Sequence, residues 1–226
     1  MTPPFILKPC REDNSMGVSL VREYEDIEQA LETAFTFDDL IICEDFIPLG
    51  REIRVGVVER DDGSLEVLSP IEYFLGHKEL PIRTSDDKLV PEKNGDHKTL
   101  ELSPSEREVL TNPDDTLLAK LEDLAVRSHY ALGCEGYSLY DVRVDPEGKL
   151  FFIEACVYCS FSPKSVIVSM SKGGGKYNDT DLFYRLANKK IREHVRSGHD
   201  IDGGEKSKQV FGMRGRSTLL GPDRNS

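Results

Sequence analysis

Apolar residues fall along this chain in short blocks, and the spacing inside each block predicts an element. Phe5-Ile6-Leu7 and residues 18–21 are brief apolar runs on either side of a polar stretch from Lys8 to Gly17, predicting two strands around a loop. Ile27, Ala30, Leu31 and Ala34 recur at helical spacing, which predicts a helix over 25–35. Residues 40–44 read as a third strand, and 51–59 with 64–72 as a hairpin turning at Asp61-Asp62-Gly63. From Phe74 to Leu100 the chain is polar and broken by Pro and Gly, a mobile loop of a length that is functional or disordered.

Helical signals then return. Ser103-Pro104-Ser105-Glu106 offers a capping serine, a proline at the first helical position and a glutamate at the third. Asn112-Pro113-Asp114-Asp115 repeats that logic. The stripe Leu117, Leu118, Leu121, Leu124, Ala125, Ser128 and Leu132 behind it predicts an amphipathic helix over 113–132, closed by Gly133. Two strands, 138–145 and 150–157, flank the turn Pro146-Glu147-Gly148-Lys149, and helices follow over 162–172 and 179–196. Past Ser197 the apolar content collapses, so 197–226 reads as a disordered tail. The order of elements gives an α+β fold with mainly antiparallel sheets and packed helices.

Composition narrows the functional classes. Among 226 residues, 29 Lys and Arg stand against 41 Asp and Glu, a net charge of −12. That balance argues against a general nucleic-acid partner, which needs a basic face. No apolar run approaches the roughly 18 residues of a membrane span, and the first residues lack the basic-then-apolar order of a secretory signal. Five cysteines at irregular spacing suit reduced thiols and a cytoplasmic protein. The first strand follows Met1 almost at once, so either the chain starts at a structural element or upstream sequence is missing.

The hairpin over 138–157 carries the clearest chemistry. A four-residue turn at 146–149 pairs Val144 with Phe151, Arg143 with Phe152, Val142 with Ile153, Asp141 with Glu154 and Leu139 with Cys156. One face then holds Tyr140, Val142, Val144, Phe151, Ile153 and Ala155 as core; the other holds Asp141, Arg143, Phe152, Glu154 and Cys156. Directly opposed carboxylates repel and require a compensating cation. A divalent metal between Asp141 and Glu154 would supply it, and so would Arg143 on the same face. Two further candidates are weaker alone. The Lys8–Gly17 loop suits phosphate oxygens or plain solvent, and Glu44-Asp45-Phe46-Ile47 with Glu52 suits a nucleoside or an ordinary charged surface.

In order, Phe5-Ile6-Leu7-Lys8-Pro9, Arg11-Glu12, Ser15-Met16-Gly17-Val18-Ser19, Glu44-Asp45-Phe46-Ile47, Gly50-Arg51-Glu52-Ile53, Gly133-Cys134-Glu135-Gly136-Tyr137, Asp141-Val142-Arg143 and Glu154-Ala155-Cys156 form a set. The set resembles the C-terminal, nucleotide-binding part of D-alanine–D-alanine ligases, of the ATP-grasp superfamily. The likeness runs from Phe5 to Arg196 and corresponds to about the last two-thirds of a typical member. It implies ATP held between two lobes, the first over 1–73 together with the start of the second, and a catalytic, metal-binding lobe over 101–196. One carboxylate would be activated as an acyl phosphate and attacked by an amine.

Carried over by position, Lys8 would bind phosphates beneath the loop of Asn14, Ser15 and Gly17. Glu44 would face the adenine amino group, Ile47 the adenine through its backbone, and Glu52 the ribose. Mg2+ would sit on Asp141, Glu154 and the position of Cys156. Arg143 would approach the reacting phosphates, Lys78 or Lys88 would close over them, and Ser165 would neighbour the acceptor. The partner is a small amino-acid-like molecule, and a homodimer is the assembly left open.

The chain also departs from the family. Cys156 stands for an asparagine, Leu139 for an arginine that steadies the oxyanion, and Tyr158-Cys159-Ser160 for a glycine-containing turn. The Cys156-x-x-Cys159 pair has no second ligand pair at zinc spacing. Those departures keep two alternatives beside the ligase: a non-catalytic nucleotide-binding remnant or truncated copy of such a ligase, and an acidic interaction domain.

Overall fold

The computed structural model describes residues 1–75, 81–85, 87–91, 97–99, 107–111, 114–156, 158–175, 177–178 and 180–196. The chain forms two compact units, Met1–Leu186 and Ala187–Ser226. Described residues of the second unit are the last turns of a helix, and the expected tail over 197–226 lies outside the described residues.

Strands β1 (Phe5–Pro9), β2 (Ser19–Val21) and β3 (Ile41–Asp45) make a three-stranded antiparallel sheet, ordered β2-β1-β3. Helix α1 (Ile27–Phe35) covers it, with Phe5, Leu7 and Val21 packed around Ala30. The predicted helix opens as a separate 3-10 turn, Tyr24–Asp26, because the Asp26 carboxylate accepts the amides of Arg22 and Glu23 at 2.9 and 3.0 Å.

The larger sheet contains β4 (Arg51–Glu59), β5 (Leu65–Val67) and β6 (Ile71–Tyr73). A separate small hairpin, β7 (Leu89–Pro91) with β8 (His97–Thr99), falls within the predicted loop. Then come β9 (Arg107–Val109), helix α2 (Asp115–Ala131), β10 (Tyr137–Val144), β11 (Leu150–Cys156) and helices α3 (Val166–Gly173) and α4 (Asp181–Arg196). The sheet runs β11-β10-β4-β6-β9 with β5 also on β4, all antiparallel.

Several expectations are corrected. The strand over 64–72 is two strands, because Pro70 has no amide to donate; Leu68 N–H bonds Gly56 O while Pro70 O accepts from Leu110. Strand β9 follows Ser103-Pro104 where helical order was expected, although 101–106 themselves lie outside the described residues. Helix α2 starts after Asp114, whose carboxylate accepts Leu117 N–H at 3.1 Å.

Alternation along β4 and β10 decides what each face of the large sheet meets. Ile53, Val55 and Val57 with Tyr140, Val142 and Val144 point to one side and bury against Leu121 and Ala125 of α2. On the other side Val58 and Leu139 lie under Ile167, Met170 and Leu182 of α3 and α4. Gly56 permits that close cover: a Cβ there would meet Leu139 Cδ2 at 3.1 Å and Met170 Cε at 3.2 Å. Further along this second face, apolar residues give way to Arg54, Glu52, Asp141 and Arg143.

The β10–β11 register also differs from expectation. Asp141 opposes Glu154 and Leu139 opposes Cys156 as predicted, but Val144 pairs with Leu150, Arg143 with Phe151 and Val142 with Phe152. Asp145 closes the turn: its carboxylate accepts the amides of Glu147 and Lys149 at 3.0 and 2.8 Å and its own N–H donates to Lys149 O at 3.0 Å, which sets Asp145 against Lys149 and shifts the register by one. An irregularity between Asp141 and Val142 absorbs the extra residue on β11. Phe152 therefore stacks near Tyr140, centroids 5.8 Å apart, while Ile153 leaves the core set and joins Glu154 in lining a cleft.

Candidate functional site

The charged half of the large sheet and the inner edge of the small sheet enclose a narrow cleft of about 100 Å³. Lys8 comes from β1, Ser15 from the β1–β2 loop, Glu44 from β3, Ile47 from the following segment, Glu52 from β4, Asp141 and Arg143 from β10, and Glu154 from β11. A wider neighbouring cavity of about 470 Å³ shares Glu154, Arg83 and Lys88 with the cleft and adds Asn14, Arg54, Cys156 and Ser165. Eleven of the twelve sequence-predicted residues thus line two adjoining spaces. Gly17, the twelfth, shapes the β1–β2 loop.

That loop is bent by backbone conformation. Asn14, Ser15 and Gly17 have φ of 50°, 60° and 69°, and left-handed non-glycine residues cost about 1 kcal/mol or more each. Gly17 has no substitute in this geometry: a Cβ would lie 2.7 Å from Phe37 Cδ2 and 2.8 Å from Pro9 Cγ. Arg11 pins one side of the loop by ion pairs to Asp38 and Asp39. Tyr158 pins the other, its hydroxyl donating to Asp13 at 2.8 Å.

Ion pairs order the cleft. Lys8 Nζ lies 2.8 Å from Glu44. Arg143 donates to Glu52 at 2.5 Å and to the Ile47 carbonyl at 3.1 Å, which fixes the segment after β3 against the large sheet. Arg143 is therefore bound to Glu52 and not to the carboxylate pair, where the sequence offered it as a neutralising charge. Its Nε is buried without a partner among the described residues, as is Ser165 Oγ at the start of α3. An unpartnered buried donor costs about 1–3 kcal/mol, so both atoms are places where a ligand would repay its binding.

The cation beside Asp141 is Arg54, which the sequence reading missed. The two residues are directly opposed on β4 and β10, and the guanidinium forks onto both carboxylate oxygens. Burial pushes the Asp141 carboxyl up, but Arg54 outweighs it and leaves the group at about 2. Across the other edge, Glu154 is raised by burial and by Asp141 more than Lys88 and Arg54 lower it. Lys88 is itself lowered by burial and by Arg83. A charged residue between Ile53 and Val55 in a buried strand was the signal for Arg54; its target needed the β4–β10 pairing.

These residues fit a hard cation unequally. Glu154 offers carboxylate oxygens that no guanidinium forks among the described residues. Both oxygens of Asp141 are taken by Arg54. Cys156 is a soft ligand whose Sγ–H donates to Tyr158 O at 2.8 Å, and burial raises its thiol. Among the described residues no three His, Cys, Asp or Glu side chains are grouped to hold a metal. Of the two lysines expected over the phosphates, Lys88 lines both spaces; Lys78 lies outside the described residues.

Comparison with known proteins gives the family. A family model describing the D-ala D-ala ligase C-terminus matches residues 1–186. D-alanine–D-alanine ligase A of Mesorhizobium japonicum is 30% identical over 198 residues, 84% of this chain and 51% of the relative. The D-alanine–D-alanine ligase of Geobacter sulfurreducens is 30% identical over 78% of this chain and 50% of its own length. The VanG D-Ala:D-Ser ligase of Enterococcus faecalis superposes with TM-score 0.66 at 26% identity, covering 83% of this chain and 50% of that one. The chain spans about half the length of the relatives it matches, less than the two-thirds expected from its motifs. With the matched motifs gathered between two antiparallel sheets, the chain belongs to the D-alanine–D-alanine ligase family, whose C-terminal ATP-grasp region it carries.

Proposed function

We propose that this chain is the nucleotide-binding part of an ATP-dependent carboxylate–amine ligase that joins small amino acids through an acyl phosphate. The observation that supports it most is the convergence of Lys8, Glu44, Ile47, Glu52 and Arg143, from both sheets, on one cleft. In this reading ATP enters the cleft with its adenine amino group toward Glu44, its ring on the backbone at Ile47 and its ribose on Glu52. The phosphates run toward Lys8 under the loop of Asn14, Ser15 and Gly17, whose left-handed residues set the direction of successive amides. Mg2+ arriving with the nucleotide would meet Glu154 and neutralise phosphate charge. Lys88, already desolvated at the junction of the spaces, faces the same point.

The wider cavity would then take the amino-acid substrates, with Ser165 Oγ free to bond the acceptor. Arg143 acts by holding Glu52 and Ile47 in place and offers its unpartnered Nε to the ligand. Such chemistry draws on cytoplasmic ATP, so the cytoplasm is the proposed compartment; no described helix is long and apolar enough to cross a membrane. A second reading, nucleotide binding without turnover, is favoured by Leu139, which is buried in the apolar core and offers no donor where the family has an arginine.

Calorimetric titration of ATP, with and without Mg2+, tests the first part. ADP release across a panel of D- and L-amino acids tests the second. Binding with amino-acid-dependent release supports the ligase, binding without release supports the remnant, and no binding overturns both.

A further inference from the structure

Glu154, Asp141 and Arg54 form one row across β11, β10 and β4, each directly opposed to the next. Two carboxylates so placed need a positive charge, and one is built in. The Arg54 and Asp141 side chains are only 15% and 12% exposed. Arg54 is steadied from behind by the Tyr73 ring, 5.9 Å from its guanidinium carbon to the centroid. A divalent ion on Asp141 would have to displace the fork and then sit beside a desolvated guanidinium. That exchange removes two charge-assisted hydrogen bonds and adds a like-charge contact in a buried place. Cys156, the next side chain in reach, offers only a thiol already donating to Tyr158 O.

We propose that Arg54 is the resident cation of this row: its guanidinium takes the neutralising place at Asp141, so the row accepts at most one divalent ion, on Glu154. The proposal rests on the nucleotide reading for the purpose of the row, not for its occupancy. It also gives Arg54 a role toward substrate. The fork uses Nε and one Nη2 hydrogen, and the remaining N–H groups belong to a side chain that lines the wider cavity. The same cavity contains Leu139, which carries no donor.

Mn2+ is the probe, titrated into the full 226-residue chain while the free ion is read by electron paramagnetic resonance. Arg54→Leu is expected to bind Mn2+ at least about tenfold tighter than the wild-type chain, a change of about 1.4 kcal/mol. Arg54→Leu combined with Asp141→Asn is expected to lose that gain. Equal affinity in wild type and Arg54→Leu overturns the proposal, as does tight wild-type binding that Asp141→Asn abolishes. If Arg54→Leu fails to fold, Arg54→Gln decides: it removes the charge while keeping a polar side chain, so a gain of about tenfold supports the proposal and no gain overturns it. ATP titrated into a second wild-type sample, with and without Mg2+, separates the two readings. Absent ATP binding with the Mn2+ gain retained overturns the nucleotide assignment alone.

Discussion

Arg54 on β4 faces Asp141 on β10, and two residues along the same strands Glu52 faces Arg143 with the charges exchanged. The two pairs form an alternating square of charge on the face of the sheet where the apolar cover ends. Each arginine orients its partner carboxylate before any ligand arrives, and its hydrogen bonds to the fold leave further N–H groups available. A cleft built this way is preorganised for a polar ligand, since the reorganisation cost is met during folding.

Arg54→Leu should be strongly destabilising, by about 3–5 kcal/mol, because it leaves a buried charge uncompensated. The loss should depend on pH. Asp141 has its carboxyl depressed to about 2 in the fold against about 3.9 unfolded. Its pair therefore contributes fully above about pH 4 and is lost as pH falls through 2. In the variant, burial still raises the Asp141 carboxyl while only Arg83 and Lys88 lower it, so the group sits higher than in the wild-type chain and acidification costs the variant less. Urea unfolding at pH 7 and pH 4.5 should show the gap between the two narrowing at the lower pH. A constant gap would mean that Arg54 acts by packing alone.

Arg143→Lys separates charge from geometry at the second pair. Lysine keeps a positive charge opposite Glu52 but cannot also reach the Ile47 carbonyl with a planar fork. ATP affinity should fall about tenfold, or 1.4 kcal/mol, with stability changed by less than that. Glu52→Gln should lose affinity comparably, and the double variant should lose less than the sum, because both act on one contact. Calorimetry on the four chains measures the coupling directly.

How far the sequence carries into this structure follows from the range of each interaction. Strand β4, helix α2 and the opposition of Asp141 to Glu154 depend on local spacing, and all were readable. The displaced half of the β10–β11 register was not, because it turns on the Asp145 carboxylate choosing the amides of Glu147 and Lys149. Arg54 was visible as a charge in a buried strand, yet its target lies 87 residues away on a strand whose pairing no spacing reveals. Tyr158 reaching Asp13 across 145 residues is the same case. The motifs located the cleft; the ion pairs that order it are tertiary.

Gly17→Ala should cost about 1–3 kcal/mol, combining a left-handed backbone with a Cβ pressed against Phe37 and Pro9. Adding Phe37→Ala removes the closest of those contacts but not the φ strain, so it should return only part of the loss. Thermal unfolding of the single and double variants checks the split. Full recovery would assign the whole cost to the ring, and no recovery would assign it to the backbone.

The two thiols at the wider cavity should be slow to react even though neither is in a disulfide. All five cysteines are free, and Cys10 and Cys43 are exposed while Cys156 and Cys159 are half-buried. The reactive species is the thiolate. Burial, with the neighbouring Cys156, pushes Cys159 up to about 12, and burial also raises Cys156, whose proton is already donated to Tyr158 O. At pH 8 iodoacetamide should therefore label Cys10 and Cys43 at least about tenfold faster than Cys156 and Cys159, as read by mass spectrometry of timed digests. Arg54→Lys should change this little, because burial outweighs Arg54 at both thiols. Fast labelling of Cys156 in the native chain would show that its thiolate is populated, and the soft ligand set rejected for a magnesium site would then be open to a softer metal.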